Sequence, residues 1–148
     1  MLIRVATAAD TNSLVEFNQA MAFETEHKNL DAQVLQSGVE AIFQDERKGF
    51  YAVAESGGKI IGGLMVTFEW SDWRSQWFWW IQSVYVLPEK RGQGIYRKLY
   101  DFVKKEAQMR NDVCGFRLYV EKENTAAQNV YKKLGMAESY YLIFEETL

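Results

Sequence analysis

The sequence predicts one α/β domain, a central sheet that is mixed in direction but mostly antiparallel, flanked by helices. Three observations lead there. Strand-like runs outnumber helix-like ones, Gly57-Gly58 is a two-glycine hairpin signal between two of them, and amphipathic stretches of helical period separate the others. At 148 residues, 48% hydrophobic and 25% charged, the composition is that of a globular domain. A chain of this size buries roughly 70% of its unfolded surface. No linker, repeat or low-complexity segment divides it, so residues 1–148 are read as a single domain.

The elements follow in order. Leu2 to Ala6 reads as a first strand, and Thr7-Ala8-Ala9-Asp10 as a capping-box-like helix start, a hydroxyl followed three residues on by a carboxylate. Leu14, Phe17 and Met21 then recur at helical spacing to about Ala22, where the clustered acids of Phe23-Glu24-Thr25-Glu26-His27 break the pattern. A second helix follows Asp31, with Val34, Leu35, Val39, Ile42 and Phe43 on one face. Phe50–Glu55 is a short strand, Lys59–Glu69 its returning partner, and Trp77–Val86 a central strand apolar on both faces. Gly94–Arg110 repeats Ile95, Leu99, Phe102, Val103 and Met109 at helical spacing. Gly115–Val120 is a further strand, and Asn124–Leu134 a helix stopped by Gly135. Within Met136–Glu146 the apolar run Tyr140-Tyr141-Leu142-Ile143-Phe144 predicts terminal strand structure.

Charge and cysteine content narrow the function. A net charge of -3 argues against a nucleic-acid partner. Seven of the seventeen basic residues nevertheless fall between Lys90 and Arg110, a basic island in an acidic chain. Cys114 is the only cysteine and His27 the only histidine, so neither a disulfide, a thiol–imidazole pair nor a metal is expected. Met1–Val5 reads as a strand rather than a leader, and no apolar run nears the ~20 residues of a membrane span. The expectation is a cytoplasmic protein with no membrane partner.

The basic island opens on Val84-Tyr85-Val86-Leu87-Pro88-Glu89-Lys90-Arg91-Gly92-Gln93-Gly94-Ile95-Tyr96-Arg97-Lys98-Leu99, an apolar strand, a glycine turn and an amphipathic helix. Such a turn gathers unpaired N–H groups at a helix N-terminus, a site for phosphate. No G-x-x-x-x-G-K-[ST] loop is present, and Arg97 fills the third glycine position of a dinucleotide fingerprint. The stretch resembles the coenzyme signature of the GNAT superfamily of acyl-CoA-dependent N-acyltransferases: Arg or Gln, two residues, Gly, one residue, Gly or Ala. Arg91 and Gly94 match. Tyr96 departs, and either narrows the approach of the phosphates or packs outward.

A second landmark, Asn124 to Met136, resembles the same family's N-x-x-A-x-x-x-Y-x-x-x-G-(F/M) helix with every fixed position filled. The order of elements is that of the GNAT fold from end to end. The resemblance implies acetyl-CoA as co-substrate, held by Val84, Tyr85 and Val86 of the central strand, by Arg91, Gly92, Gln93, Gly94, Ile95, Tyr96 and Arg97 of the turn, and by Asn124 and Tyr131. It implies that the backbone N–H groups of Val84 and Val86 polarise the acyl carbonyl. The Tyr131 phenol, protonated at neutral pH, would donate to the departing thiolate. Read without the resemblance, Asn124 is a helix cap and Tyr131 a core aromatic.

Many relatives carry a Glu base on the central strand, at positions that here hold Trp80 or Gln82. The remaining candidates are Glu69 and Asp72 at the neighbouring strand end and Glu24 and Glu26 after the first helix. Glu69 is the first choice, then Glu24 and Glu26, with a water chain as the alternative. All five tryptophans, Trp70, Trp73, Trp77, Trp79 and Trp80, fall within eleven residues; some belong to the core, since they alternate along a strand, and an acceptor pocket walled by indoles and lined by carboxylates would suit a cationic amine. The expected activity is therefore acetyl transfer from acetyl-CoA to a small primary amine by direct attack. Two other readings stay open, an acyl-CoA sensor without turnover and an acetyltransferase of protein or tRNA. Relatives often dimerise, which extends the resemblance to a homodimer.

Overall fold

Residues 1–148 are all described in the computed structural model, which falls into two units, Met1–Leu118 and Tyr119–Leu148. The first unit holds a five-stranded sheet: β1 (Leu2–Val5), β2 (Phe50–Ser56), β3 (Lys59–Ser71), β4 (Gln76–Val86) and β5 (Val113–Arg117), side by side in that order. The first three pairings are antiparallel and β4–β5 is parallel. The mixed, mostly antiparallel sheet expected from the hairpin signals is thus the one formed. Gly57 and Gly58 make the β2–β3 turn with φ of 56° and 73°, the left-handed pair that a two-residue hairpin requires.

Helices α1 (Thr11–Glu26) and α2 (Ala32–Gln44) cover one face of the sheet, and α3 (Ile95–Arg110) covers the other. The two-residue period of the strands sorts the core. Tyr51, Val53 and Met65 pack against Leu14 of α1 and Val39 and Leu35 of α2. On the other side Gly62 lies so near α3 that a Cβ would come within 3.3 Å of Ile95, and Phe116 of β5 meets Tyr100. Leu99 and Val103 of α3 are fully buried, each contributing about 1.5–3 kcal/mol. Asp10 accepts the Thr7 N–H at 2.8 Å before α1, which is the capping contact read from the sequence. The Asp31 carboxylate caps α2 through the N–H groups of Gln33 and Val34.

The second unit holds α4 (Thr125–Lys133). Asn124 is its N-cap, accepting from Ala127 N at 3.1 Å, and Gly135 follows its end with φ of 95°. No helix of the chain is long and apolar enough to cross a membrane.

Four expectations are corrected. Helix α1 runs on to Glu26 rather than ending near Ala22, because Glu24 in its last turn is bonded to Tyr85 and Arg91 and Glu26 is exposed, so the acids do not break it; His27 ends it in the left-handed conformation. Glu69 lies inside β3, which continues to Ser71. Strand β5 spans Val113–Arg117, not Gly115–Val120. The run Tyr140–Phe144 forms no strand, and all five side chains are exposed. Apolar composition supplies β-propensity there, but that propensity reflects packing on a pleated, half-buried surface rather than an intrinsic backbone preference.

Candidate active site

Strand β4 changes character along its length. It pairs with β5 only from Trp77 to Trp80, where Trp80 meets Arg117, so the edge of Ile81–Val86 turned away from β3 has no strand partner. On its other side the register with β3 slips. Three residues, Gly63 to Met65, are matched against four, Gln82 to Tyr85, a bulge at Ser83–Val84 with Ser83 at φ of 51°. The bulge inverts the alternation. Phe78, Trp80 and Gln82 face α1 and α2 below it, and Tyr85 takes that face above it, its ring 5.1 Å from Phe17 of α1. Unpaired backbone beside a bulge is the kind of edge an extended ligand can bind.

The glycine turn follows directly. Pro88–Lys90 makes one 3-10 turn, and Gly92 and Gly94 adopt φ of 75° and 74° on either side of Gln93. Lys98 N bonds back to Gly94 O at 3.1 Å, whereas the N–H groups of Gly92 through Arg97 find no backbone acceptor. These donors converge at the positive end of α3, a nest for an anionic group. The residues therefore suit the pyrophosphate of a coenzyme. Tyr96 packs along the helix toward Tyr100, with ring centroids 6.3 Å apart and its hydroxyl buried. Arg97 stays exposed, 4.0 Å from Asp101.

Arg91 turns away from the nest. Its Nε donates to Val86 O at 2.9 Å, its Nη2 to Glu24 Oε2 at 2.8 Å, and its guanidinium lies 5.3 Å from the Tyr85 ring centroid. The Tyr85 hydroxyl donates to the other Glu24 oxygen at 2.9 Å. The Arg91 hydrogen bond, with help from Tyr85, holds the Glu24 carboxyl below its ordinary value against the opposing effect of burial. Glu26, two residues on, is exposed, 3.9 Å from Lys28.

Under α1 and α2, on the face that carries Trp80 and Gln82, lies a cleft of about 380 Å³. Asn18, Leu30, Asp31, Val34, Met65 and Ser83 are among its lining residues. Beyond Met65 on the same face, Gln82 Nε2 donates to Thr67 Oγ1 at 2.6 Å. Next comes Glu69, whose Oε1 accepts from Trp80 Nε1 at 2.9 Å and Arg117 Nη1 at 2.8 Å. Burial alone would raise the Glu69 carboxyl, but these two hydrogen bonds and the Arg117 charge outweigh it and hold the group below its ordinary value. Asp72 sits apart, in the β3–β4 turn, accepting from Trp73 N.

The tryptophans do not form one wall. Strand alternation sends Trp70, Trp77 and Trp79 to the α3 face, where Trp70 and Trp77 meet edge to face at 4.9 Å and Trp79 is core. Trp73 projects from the turn, and Trp80 alone shares the cleft's face. What the sequence concealed is Arg117. It sits on a short strand with no motif around it, and only the β4–β5 register brings it to Glu69.

In the second unit Asn124 and Tyr131 stand seven residues apart across α4, hence on one side of the helix about 10 Å from each other along its axis. The Asn124 side chain is already the cap, and burial pushes the Tyr131 phenol up.

The sequence model of the Acetyltransferase (GNAT) family matches residues 13–136. The mouse (Mus musculus) thialysine N-epsilon-acetyltransferase is 38% identical over 87 residues, 57% of this chain and 49% of that protein, so the match spans about half the length of the curated relative. A possible acetyltransferase from Clostridium difficile 630 is 44% identical, with a TM-score of 0.93 over 99% of this chain and 97% of its own. A predicted acetyltransferase from Clostridium acetobutylicum, solved with acetyl-CoA, shares the fold at 21% identity, with a TM-score of 0.81 over 98% and 95%.

Proposed function

The chain belongs to the GNAT acetyltransferase family, and on that premise we propose that it transfers the acetyl group of acetyl-CoA to the nitrogen of a small primary amine by direct attack. The observation that carries this reading is the continuity of the β4 bulge, its unpaired edge and the Gly92–Gly94 nest. A phosphate grip at one end thereby leads along free backbone toward the cleft under α1 and α2. A cleft of about 380 Å³ suits a small acceptor rather than a protein or tRNA.

In this reading the turn from Gly92 to Arg97 holds the pyrophosphate of acetyl-CoA, and Asn124 its arm. The backbone of Val84 and Val86 accepts the thioester and stabilises the oxyanion as the C–N bond forms. Tyr131 delivers a proton to the coenzyme sulfur as the C–S bond breaks and regains one from water. Its raised pKa keeps the phenol protonated, as an acid at that step must be. The proton lost by nitrogen goes to water in the cleft. The pairing of Glu24 with Arg91, and of Glu69 with Arg117, weighs against either as the base, since each holds its carboxyl ionised and unreceptive.

Thiol release from acetyl-CoA across a panel of primary amines, over varied concentrations of both substrates, tests the proposal. Turnover with intersecting double-reciprocal plots is the expected result. Binding of acetyl-CoA without acetyl transfer to any amine would replace it with the sensor reading.

A further inference from the structure

Three carboxylates on this side of the sheet are already matched. Glu24 is paired with Arg91, Glu69 with Arg117, and the Asp31 carboxylate is engaged by the N-terminus of α2. Such a surface offers no surplus negative charge to a polycation. It does offer a cation and an anion side by side. Arg117 and Glu69 meet at 2.8 Å, both side chains partly exposed, on the face of the sheet that carries the cleft. The Arg117 guanidinium lies 3.7 Å from the centre of the Phe78 ring, which holds it in a fixed plane. Both donors to Glu69 use Oε1, so Oε2 keeps its acceptor capacity.

We infer that the acceptor is an amine carrying its own amino-acid head group, with Arg117 binding its carboxylate and Glu69 its α-ammonium. The inference rests on the acetyl-transfer reading above and narrows its substrate class. The spacing agrees. Gln82, next to the bulge, and Trp80, level with Arg117, are two residues apart on β4, roughly 7 Å. That is the reach of a diamino acid side chain from its α-carbon to a terminal amine. The head group at Arg117 and Glu69 therefore leaves the far nitrogen beside Ser83–Val84, where the proposed oxyanion contacts lie. Ionic partners exchanged one for one keep both protein charges compensated when the substrate binds, which a diamine cannot do.

The test compares lysine with two probes that lack its carboxylate, cadaverine and lysine methyl ester, in wild type, Arg117→Gln and Arg117→Lys. In wild type, kcat/KM for lysine should exceed that of either probe about tenfold or more. Arg117→Gln should raise the KM for lysine about tenfold without raising the KM for cadaverine or acetyl-CoA, and Arg117→Lys should restore part of the loss. Cadaverine or the ester performing as well as lysine in wild type would overturn the inference, whatever the variants do. So would an equal effect of Arg117→Gln on all three acceptors. Turnover of cadaverine alone would leave acetyl transfer to amines standing and sink only the head-group assignment. Failure with every amine would remove both.

Discussion

Arg91 and Glu24 meet at 2.8 Å and tie the glycine turn to the last turn of α1, with Tyr85 of β4 as the third member of the cluster. An arginine expected beside phosphate is thus engaged by a carboxylate expected to be a base. The contact makes Glu24 a positioning residue for the turn.

Replacing Glu24 by Gln checks that role. The pair is partly exposed, so its loss should cost about 0.5–1 kcal/mol of stability. Turnover should stay within about threefold of wild type, with the pH profile unmoved. A general base removed at this position would instead cost about 10²-fold or more and erase the limb of the profile that belongs to it. Denaturant titration and rate–pH curves on the same variant separate the two.

Gly94 caps α3 with φ of 74°, and nothing lies within 4 Å of where a Cβ would stand. Gly94→Ala therefore introduces backbone strain without a clash, about 1–2 kcal/mol. The strain should distort the nest, so the KM for acetyl-CoA should rise at least several-fold with little change in the KM for the amine. Initial rates with each substrate varied in turn report the split.

Asn124 has two duties in this account, and two substitutions separate them. Asn124→Ala removes the bond to Ala127 N and should cost about 1 kcal/mol of stability. Asn124→Asp keeps a capping oxygen but sets a negative charge by the coenzyme arm. It should fold normally and bind acetyl-CoA more weakly, with the deficit shrinking as salt is added. Titration of both variants with acetyl-CoA is the check.

Asp10 is nearly buried, accepting from both terminal nitrogens of Arg4 and from Thr7 N. The Arg4 hydrogen bond holds its carboxyl below the ordinary value although burial opposes it. A carboxyl lowered in the folded state stabilises the fold above its unfolded pKa of about 3.9 and loses that contribution as pH falls through the folded value. Unfolding free energy should hence drop below about pH 4. In Asp10→Asn, which keeps the shape, that part of the acid slope should vanish, leaving Arg4 paired with Glu55 alone and a loss of about 1–2 kcal/mol at neutral pH.

Local chemistry made much of this fold legible. The Gly57-Gly58 turn, the Asp31 and Asn124 caps, and the strand–turn–helix around Gly92 and Gly94 each depend on residues close in sequence. The bulge at Ser83 did not announce itself, since a β-run with one residue too many looks like any other until its partner's register is known. Arg117 stayed hidden for the same reason, as its meeting with Glu69 spans 48 positions. The end of α1 was misjudged because Glu24 was read by composition, whereas its partners Tyr85 and Arg91 lie far along the chain. Alternation along the strand made it legible that some tryptophans are core, as Trp79 is, but only the β3–β4 register shows that Trp80 alone shares the cleft's face.

The central claim is that acetyl leaves coenzyme A for an amine nitrogen with Tyr131 as the acid. Mass-spectrometric detection of the N-acetylated amine, with released CoA thiol counted in the same reaction for wild type and Tyr131→Phe, tests it most directly. The account predicts one acetylamine per thiol in both proteins, with kcat lowered about 10²-fold in the variant and the acetyl-CoA KM little changed. Thiol released without acetylamine, or a Tyr131→Phe enzyme as fast as wild type, would contradict it.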